Sequence, residues 1–229
     1  MPEPGRHIVA MGGFQGEARL REYVLELTGA ARPRVRFLGT ATGDSAVATR
    51  SFYEQWPASR CEPGHVDLFG MPEQIRERLL EADAIVVSGG NTANMLAIWN
   101  IHGVDDILRE AWGRGIVLTG WSAGAMCWFE AGVTDSFGPQ LAPLDGCLAF
   151  LAGSFCPHYD GEERRRPVYR QLVADRALPG GYAADDLVGL HFAGPELQAV
   201  VSAEEGATAY RVVRGEGGAE ETRLEARVL

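Results

Sequence analysis

Four apolar or β-branched residues, Ile116-Val117-Leu118-Thr119, run without a break into Gly120-Trp121-Ser122-Ala123-Gly124, and a helix-capable stretch, Ala123 to Phe129, follows. A strand that turns this abruptly into a helix narrows the choice of fold. The short run suits a strand buried on both faces. Glycines on both sides of Ser122 let the backbone turn tightly and pack closely. The same strand–turn–helix lifts a serine oxygen clear of a sheet. The helix that follows directs its N-terminal N–H groups at the turn, which favours developing negative charge. Ser122 is therefore a candidate nucleophile, and the N–H of Ala123 a candidate oxyanion donor. G-x-S-x-G alone is a weak pattern. A glycine-rich turn in which Ser122 merely caps a helix is the competing reading.

Elsewhere, short apolar runs alternate with helical patterns, which argues for an α/β fold with a mostly parallel sheet. His7 to Met11 reads as a first strand, ended by Gly12-Gly13. Leu20, Tyr23, Val24 and Leu27 fall on one helix face, and Gly29 lies where a C-terminal cap belongs. Val35 to Leu38 reads as a second strand, and Asp44 or Ser45 as the cap of the next helix. A third strand is expected over His65 to Phe69, and a helix from Pro72 to about Glu81. Ala84 to Val87 is a buried strand broken by Gly89-Gly90-Asn91, with helices to about Trp99 and over Val104 to Trp112. Gly132 to Asp145 reads as loops and Glu162 to Ala174 as a helix. Val188 to Phe192, Leu197 to Ser202 and Thr208 to Val213 read as late strands, antiparallel at a sheet edge. No linker demands a second domain, so a single unit over 1–229 is expected.

Ligands in open α/β sheets bind beyond the carboxyl ends of the strands. The turns at Gly89-Gly90 and at Ser122 would face each other there. Gly89 and Gly90 are then further oxyanion donors, with Asn91 and Thr92 placed to bond substrate. The alternative is a tight turn in which Asn91 or Thr92 caps the next helix. Of the five histidines, His158 follows a strand-like run in a polar stretch and suits a general base. His191, flanked by Leu190 and Phe192, is the second choice. An acid must orient the imidazole. Asp135, Asp160, Asp185 and Asp186 all qualify, and spacing does not choose among them.

A formal net charge of −10 at pH 7 repels phosphate backbones, so a nucleic-acid partner is not expected. Apolar residues at 46% and charged residues at 23% are ordinary for a globular chain. Cys61, Cys127, Cys147 and Cys156 show no C-x-x-C spacing, so no zinc or redox site is suggested. No metal or organic cofactor is expected. The N-terminus lacks a basic-then-apolar segment, and no apolar run reaches spanning length. A cytoplasmic protein with free thiols and no membrane partner is the expectation.

Ser88-Gly89-Gly90-Asn91-Thr92, Gly120-Trp121-Ser122-Ala123-Gly124-Ala125 and Cys156-Pro157-His158-Tyr159-Asp160-Gly161-Glu162, in that order and at similar separations, resemble the peptidase E family of serine peptidases. Cyanophycinase is a more distant relative, and residues 80–195 carry the resemblance. It implies a three-layer α/β fold with helices on both faces of a mostly parallel sheet, like that of class I glutamine amidotransferases (flavodoxin-like), with serine in place of their cysteine. It implies hydrolysis of small peptides through a covalent acyl-enzyme, and a homodimer. Ser122 matches the family's nucleophile, His158 its histidine, and Gly89, Gly90 and Ala123 its oxyanion region. Asp135 matches one acid proposed for peptidase E, and Asp186 the acid of cyanophycinase-like members. Asp186 is preferred because its segment can lie beside the histidine loop.

Peptidase E removes N-terminal aspartate from dipeptides, and Arg164 resembles in position the arginine assigned to that aspartate. A bidentate guanidinium suits a carboxylate. A solvated face of a helix N-terminus paired with Glu162 and Glu163 is the competing reading of Arg164. Two departures put aspartate specificity in doubt. Ser88 replaces the first glycine of the usual triple-glycine turn, and Cys156 stands where typical members carry Asn. Trp99, Trp112 and Trp128 suit core packing better than a dimer interface. Two other functions stay open. One is an esterase or amidase of α/β-hydrolase type, whose Ser–acid–His order is met with Asp135. The other is a catalytically silent binding protein.

Overall fold

A computed structural model of the chain describes residues 5–229, so the first four positions of the expected 1–229 unit lie outside the described residues. The first half alternates strand and helix: β1 (His7–Met11), α1 (Ala18–Leu27), β2 (Arg34–Leu38), α2 (Ala46–Gln55), β3 (Glu62–His65), α3 (Ile75–Leu80), β4 (Ala84–Val87), α4 (Thr92–His102), α5 (Val104–Gly113), β5 (Val117–Trp121) and α6 (Ala123–Met126). Strands dominate the second half: β6 (Ala131–Thr134), β7 (Ala142–Asp145), β8 (Ser154–Cys156), α7 (Arg165–Ala174), β9 (Gly181–Ala184), β10 (Val188–Ala193), β11 (Glu196–Ser202), β12 (Ala209–Gly215), β13 (Gly218–Arg223) and β14 (Ala226–Val228).

Successive side chains of a strand point to opposite faces, and the core divides accordingly. Ile8, Ala10, Leu38, Ile85, Val87 and Leu118 pack with Leu79, Met95, Trp99 and Ile107 of α3, α4 and α5. Val9, Met11, Val35, Phe37, Val86 and Val117 pack with Leu20 and Val24 of α1 and with Phe52 and Trp56 at α2. Helices thus cover both faces of this sheet. Each Val, Leu, Ile, Met or Phe among them, once fully buried, contributes roughly 1.5–3 kcal/mol. Trp99 and Trp128 are fully buried and Trp112 nearly so, so all three serve the core.

The fold is α/β, but with two mixed sheets rather than one mostly parallel sheet. The larger has eight strands in the order β14-β11-β10-β1-β5-β4-β2-β3. Its pairs from β1 to β3 are parallel, whereas β10 runs antiparallel to both β1 and β11. The second has six strands in the order β13-β12-β9-β8-β6-β7. α7 packs on one face of it through Tyr169 and Val173. Its β8 residue Phe155 joins the core cluster of the larger sheet.

Other departures from the sequence pattern have local causes. Gly132 to Asp145, expected as loops, holds all but the first residue of β6 and the whole of β7, which pair antiparallel. β7 carries Pro143 but forms the sheet edge, where a missing donor is tolerated. The third strand lies at Glu62–His65, before the apolar run, because its ladder to the β2 backbone outweighs propensity. Asp44 does not cap α2: its Oδ2 accepts from the N–H groups of Leu68 and Phe69. α3 starts at Ile75 rather than Pro72, after a left-handed Gln74. The helix after Ser122 ends at Met126.

Candidate active site

Ser122 sits between the last residue of β5 and the first of α6 with φ 54° and ψ −116°. Those angles match the first central position of a type II′ turn, a place glycine prefers. A serine held there stores about 1–3 kcal/mol of strain. Its N–H is anchored to Met11 O at 3.1 Å. Around it, the N–H groups of Gly89, Gly90 and Ala123 find no acceptor among the described residues. An atom at the Cβ position of Gly89 would lie 3.2 Å from Ser122 Cβ, so the two turns do meet at the ends of β4 and β5.

The end of the neighbouring β1 brings in the other groups. Gly13 forms a parallel bridge with Asp186. A Cβ on Gly13 would come within 2.1 Å of Asp186 Oδ1 and 3.3 Å of His158 Cε1, so only glycine allows that approach. His158, just beyond β8, faces Asp186 with Nδ1 to Oδ1 at 2.6 Å, and both side chains are 23% exposed. With Nδ1–H donating to the carboxylate, Nε2 keeps the free lone pair. Asp186 is itself held: its N–H donates to Asp160 Oδ1 at 2.8 Å, and Gln15 Nε2 donates to its Oδ2 at 3.0 Å.

The remaining candidates lie elsewhere or are engaged. Asp135 is exposed and lines a cleft with Pro139, Glu162, Glu163 and Arg164. Arg164 there donates to Pro139 O at 2.7 Å. Asn91 caps α4 by accepting from Asn94 N at 2.9 Å and donates to Ser136 O at 3.0 Å, which occupies both ends of its amide. Thr92 is buried. Asp185 is buried and accepts from Thr208 N at 2.9 Å, and burial pushes its carboxyl up to about 6. Gln15 escaped the sequence reading. The signal available was the Gly12-Gly13 break at the carboxyl end of β1, which marks a ligand-binding edge. Among the described residues, no group of three or more His, Cys, Asp or Glu could hold a metal, and no helix is long and apolar enough to cross a membrane.

His191, the second choice for the base, is spent on structure. Its Nε2 lies 2.9 Å from His7 Nδ1, and its Nδ1 lies 2.8 Å from Tyr23 OH. Burial, reinforced by His7, lowers its pKa to about 4. The folded state therefore binds fewer protons than the unfolded chain between the ordinary value of about 6.5 and about 4. Stability from this group is complete above that window and falls as pH drops through it, by about 2–3 kcal/mol. Unfolding free energies of the parent and of His191→Phe, measured from pH 7 to 4.5, should converge as pH falls. Parallel curves would refute this.

A model of peptidase family S51 matches residues 8–200. YgaJ, an uncharacterized peptidase of Bacillus subtilis strain 168, is 48% identical over 217 residues, covering 92% of this chain and 94% of that protein. Peptidase E of Haemophilus influenzae is 31% identical over 126 residues, 48% of this chain and 57% of that one. Among solved structures, a Listeria monocytogenes EGD-e protein provisionally assigned to peptidase E gives a TM-score of 0.62 at 17% identity, covering 96% of this chain and 100% of that chain. A peptidase from an acI-B1 actinobacterium gives 0.64 at 17% identity, covering 96% and 94%. At that identity the two structures speak for the fold alone.

Proposed function

Because the chain belongs to peptidase family S51, we propose that it is a serine peptidase that hydrolyses small peptides through an acyl-enzyme on Ser122. The observation that carries this reading is the strained Ser122 set one strand away from the His158–Asp186 pair. In this reading His158 Nε2 takes the Ser122 hydroxyl proton as Oγ attacks the scissile carbonyl carbon. The N–H groups of Gly89, Gly90 and Ala123 receive the oxyanion. The C–N bond breaks, and the amine leaves with the proton from His158. Water then attacks the acyl group by the same route and restores the serine. Asp186 holds the Nδ1–H tautomer and offsets the imidazolium charge. No step requires a cofactor. The parallel run β3-β2-β4-β5-β1 with the elbow at the end of β5 also supports a likeness to class I glutamine amidotransferases, Ser122 standing where their cysteine does.

A small fluorophosphonate tests the nucleophile, since an activated serine displaces its fluoride. One adduct on the peptide carrying Ser122 is expected, and dipeptide cleavage should stop as it forms. If neither adduct nor cleavage of any dipeptide were seen, the peptidase reading would fail, and the esterase and binding readings would come next.

A further inference from the structure

We propose that the cavity beside the elbow is the subsite for the side chain on the acyl side of the scissile bond, and that it selects a large uncharged residue, apolar or aromatic, over aspartate. This deepens the reading above and rests on Ser122 as nucleophile. The cavity holds about 440 Å³, within the range of small-ligand pockets.

It touches the site at two points. Gly89 and Trp121 line it on one side, and a Cβ on Gly89 would meet Trp121 Nε1 at 3.0 Å and Ser122 Cβ at 3.2 Å. Gln15 lines it on the other side and donates to Asp186 Oδ2 at 3.0 Å. A carbonyl carbon within reach of Ser122, its oxygen on the Gly89 N–H, therefore carries a substituent at the mouth of this cavity.

The wall chemistry sets the preference. Phe14 and Trp121 rings lie 5.3 Å apart and Phe37 and Phe52 rings 4.7 Å apart, all four lining the space. Among the described residues, no Asp, Glu, His, Lys or Arg lines it. A carboxylate entering would lose its water and find no cation. Gln15, Thr42, Ser45, Ser51 and Gln55 add uncharged hydroxyl and amide groups to the lining, partners for an uncharged polar tip. Arg164, the cation that the family resemblance points to, sits in a separate cleft beside Asp135, Glu162 and Glu163. Glu162 is paired with Arg165, and the remaining carboxylates of Asp135 and Glu163 still outnumber the Arg164 guanidinium, which disfavours an acidic side chain.

The test is kcat/KM for Phe-Leu, Met-Leu, Ala-Leu and Asp-Leu with the parent and with Ala48→Phe, whose ring would enter the cavity from α2. In the parent, Phe-Leu and Met-Leu should exceed Asp-Leu by about 100-fold. Ala48→Phe should lower Phe-Leu at least about tenfold more than Ala-Leu, while fluorophosphonate still labels Ser122. Asp-Leu as the best substrate, with the adduct still forming, would overturn this proposal and leave the nucleophile standing. So would an equal loss on all dipeptides with labelling intact. Absence of both adduct and cleavage would remove the peptidase reading and this one together. Should Ala48→Phe fail to fold, the parent's own ranking decides.

Discussion

Ser122→Ala loses about 10⁴- to 10⁶-fold in dipeptide turnover and keeps its fold. The size of the loss follows from removing the one atom that forms the acyl bond. What survives is the pull of the free N–H groups of Gly89, Gly90 and Ala123, which act on any water that attacks unaided. Stability should barely change, because the anchoring bond at this position is the backbone N–H to Met11 O, which alanine retains. Ser122→Gly adds a sharper contrast. At φ 54° and ψ −116°, glycine relieves strain that serine and alanine both carry. It should therefore be the more stable variant, by about 1 kcal/mol, and equally inactive. Chemical unfolding beside stopped-flow or end-point hydrolysis reads both quantities. A Ser122→Ala protein that retained parent turnover would end the acyl-enzyme reading. A Ser122→Gly protein less stable than Ser122→Ala would show that the turn stores no strain.

That the turn at Ser122 could be read from the chain at all reflects where the information lies. β4 and β5 are short runs of mostly buried apolar or β-branched residues that end in glycine turns, so their ends and the place of Ser122 follow from local pattern. α1 shows its face at helical spacing, and Leu20 and Val24 are buried as that spacing requires. The second sheet left no such pattern. β6, β7 and β8 have four, four and three residues, too few for a period, and Gly132 and Pro143 disguise two of them. They are strands because partners distant in sequence satisfy their backbone groups. The same limit applies to the acid. Four aspartates were equivalent on local grounds, and what separates them is a contact across most of the chain, the bridge of Gly13 with Asp186. Gln15 is invisible for that reason too, since its partner is the Asp186 carboxylate. Asn91 left two readings open on local grounds, substrate binding or helix capping, and in the structure its amide accepts from Asn94 N and donates to Ser136 O.

The long-range contact also dictates the second large effect. Asp186→Asn should lower turnover by about 10⁴-fold, and Asp135→Asn should leave it near the parent rate. Asparagine fits the space of Asp186, and its amide can still meet His158 and Gln15, so the loss is electronic rather than steric. A neutral amide next to Nδ1 no longer favours the Nδ1–H tautomer. It can turn its own N–H toward the ring, which places the proton on Nε2, where Ser122 needs a lone pair. It also removes the negative charge that balances the imidazolium formed during attack. Asp135 has no such connection: it is exposed in the cleft with Arg164, Glu162 and Glu163, and no hydrogen bond joins it to His158 among the described residues. The measurement is kcat and KM for one dipeptide on the two variants, with fluorophosphonate labelling rates alongside. Loss confined to kcat and to the labelling rate in Asp186→Asn, with KM preserved, fits an orienting carboxylate. A deep loss in Asp135→Asn with Asp186→Asn unaffected would move the acid to the other cleft, and with it the direction from which His158 must approach.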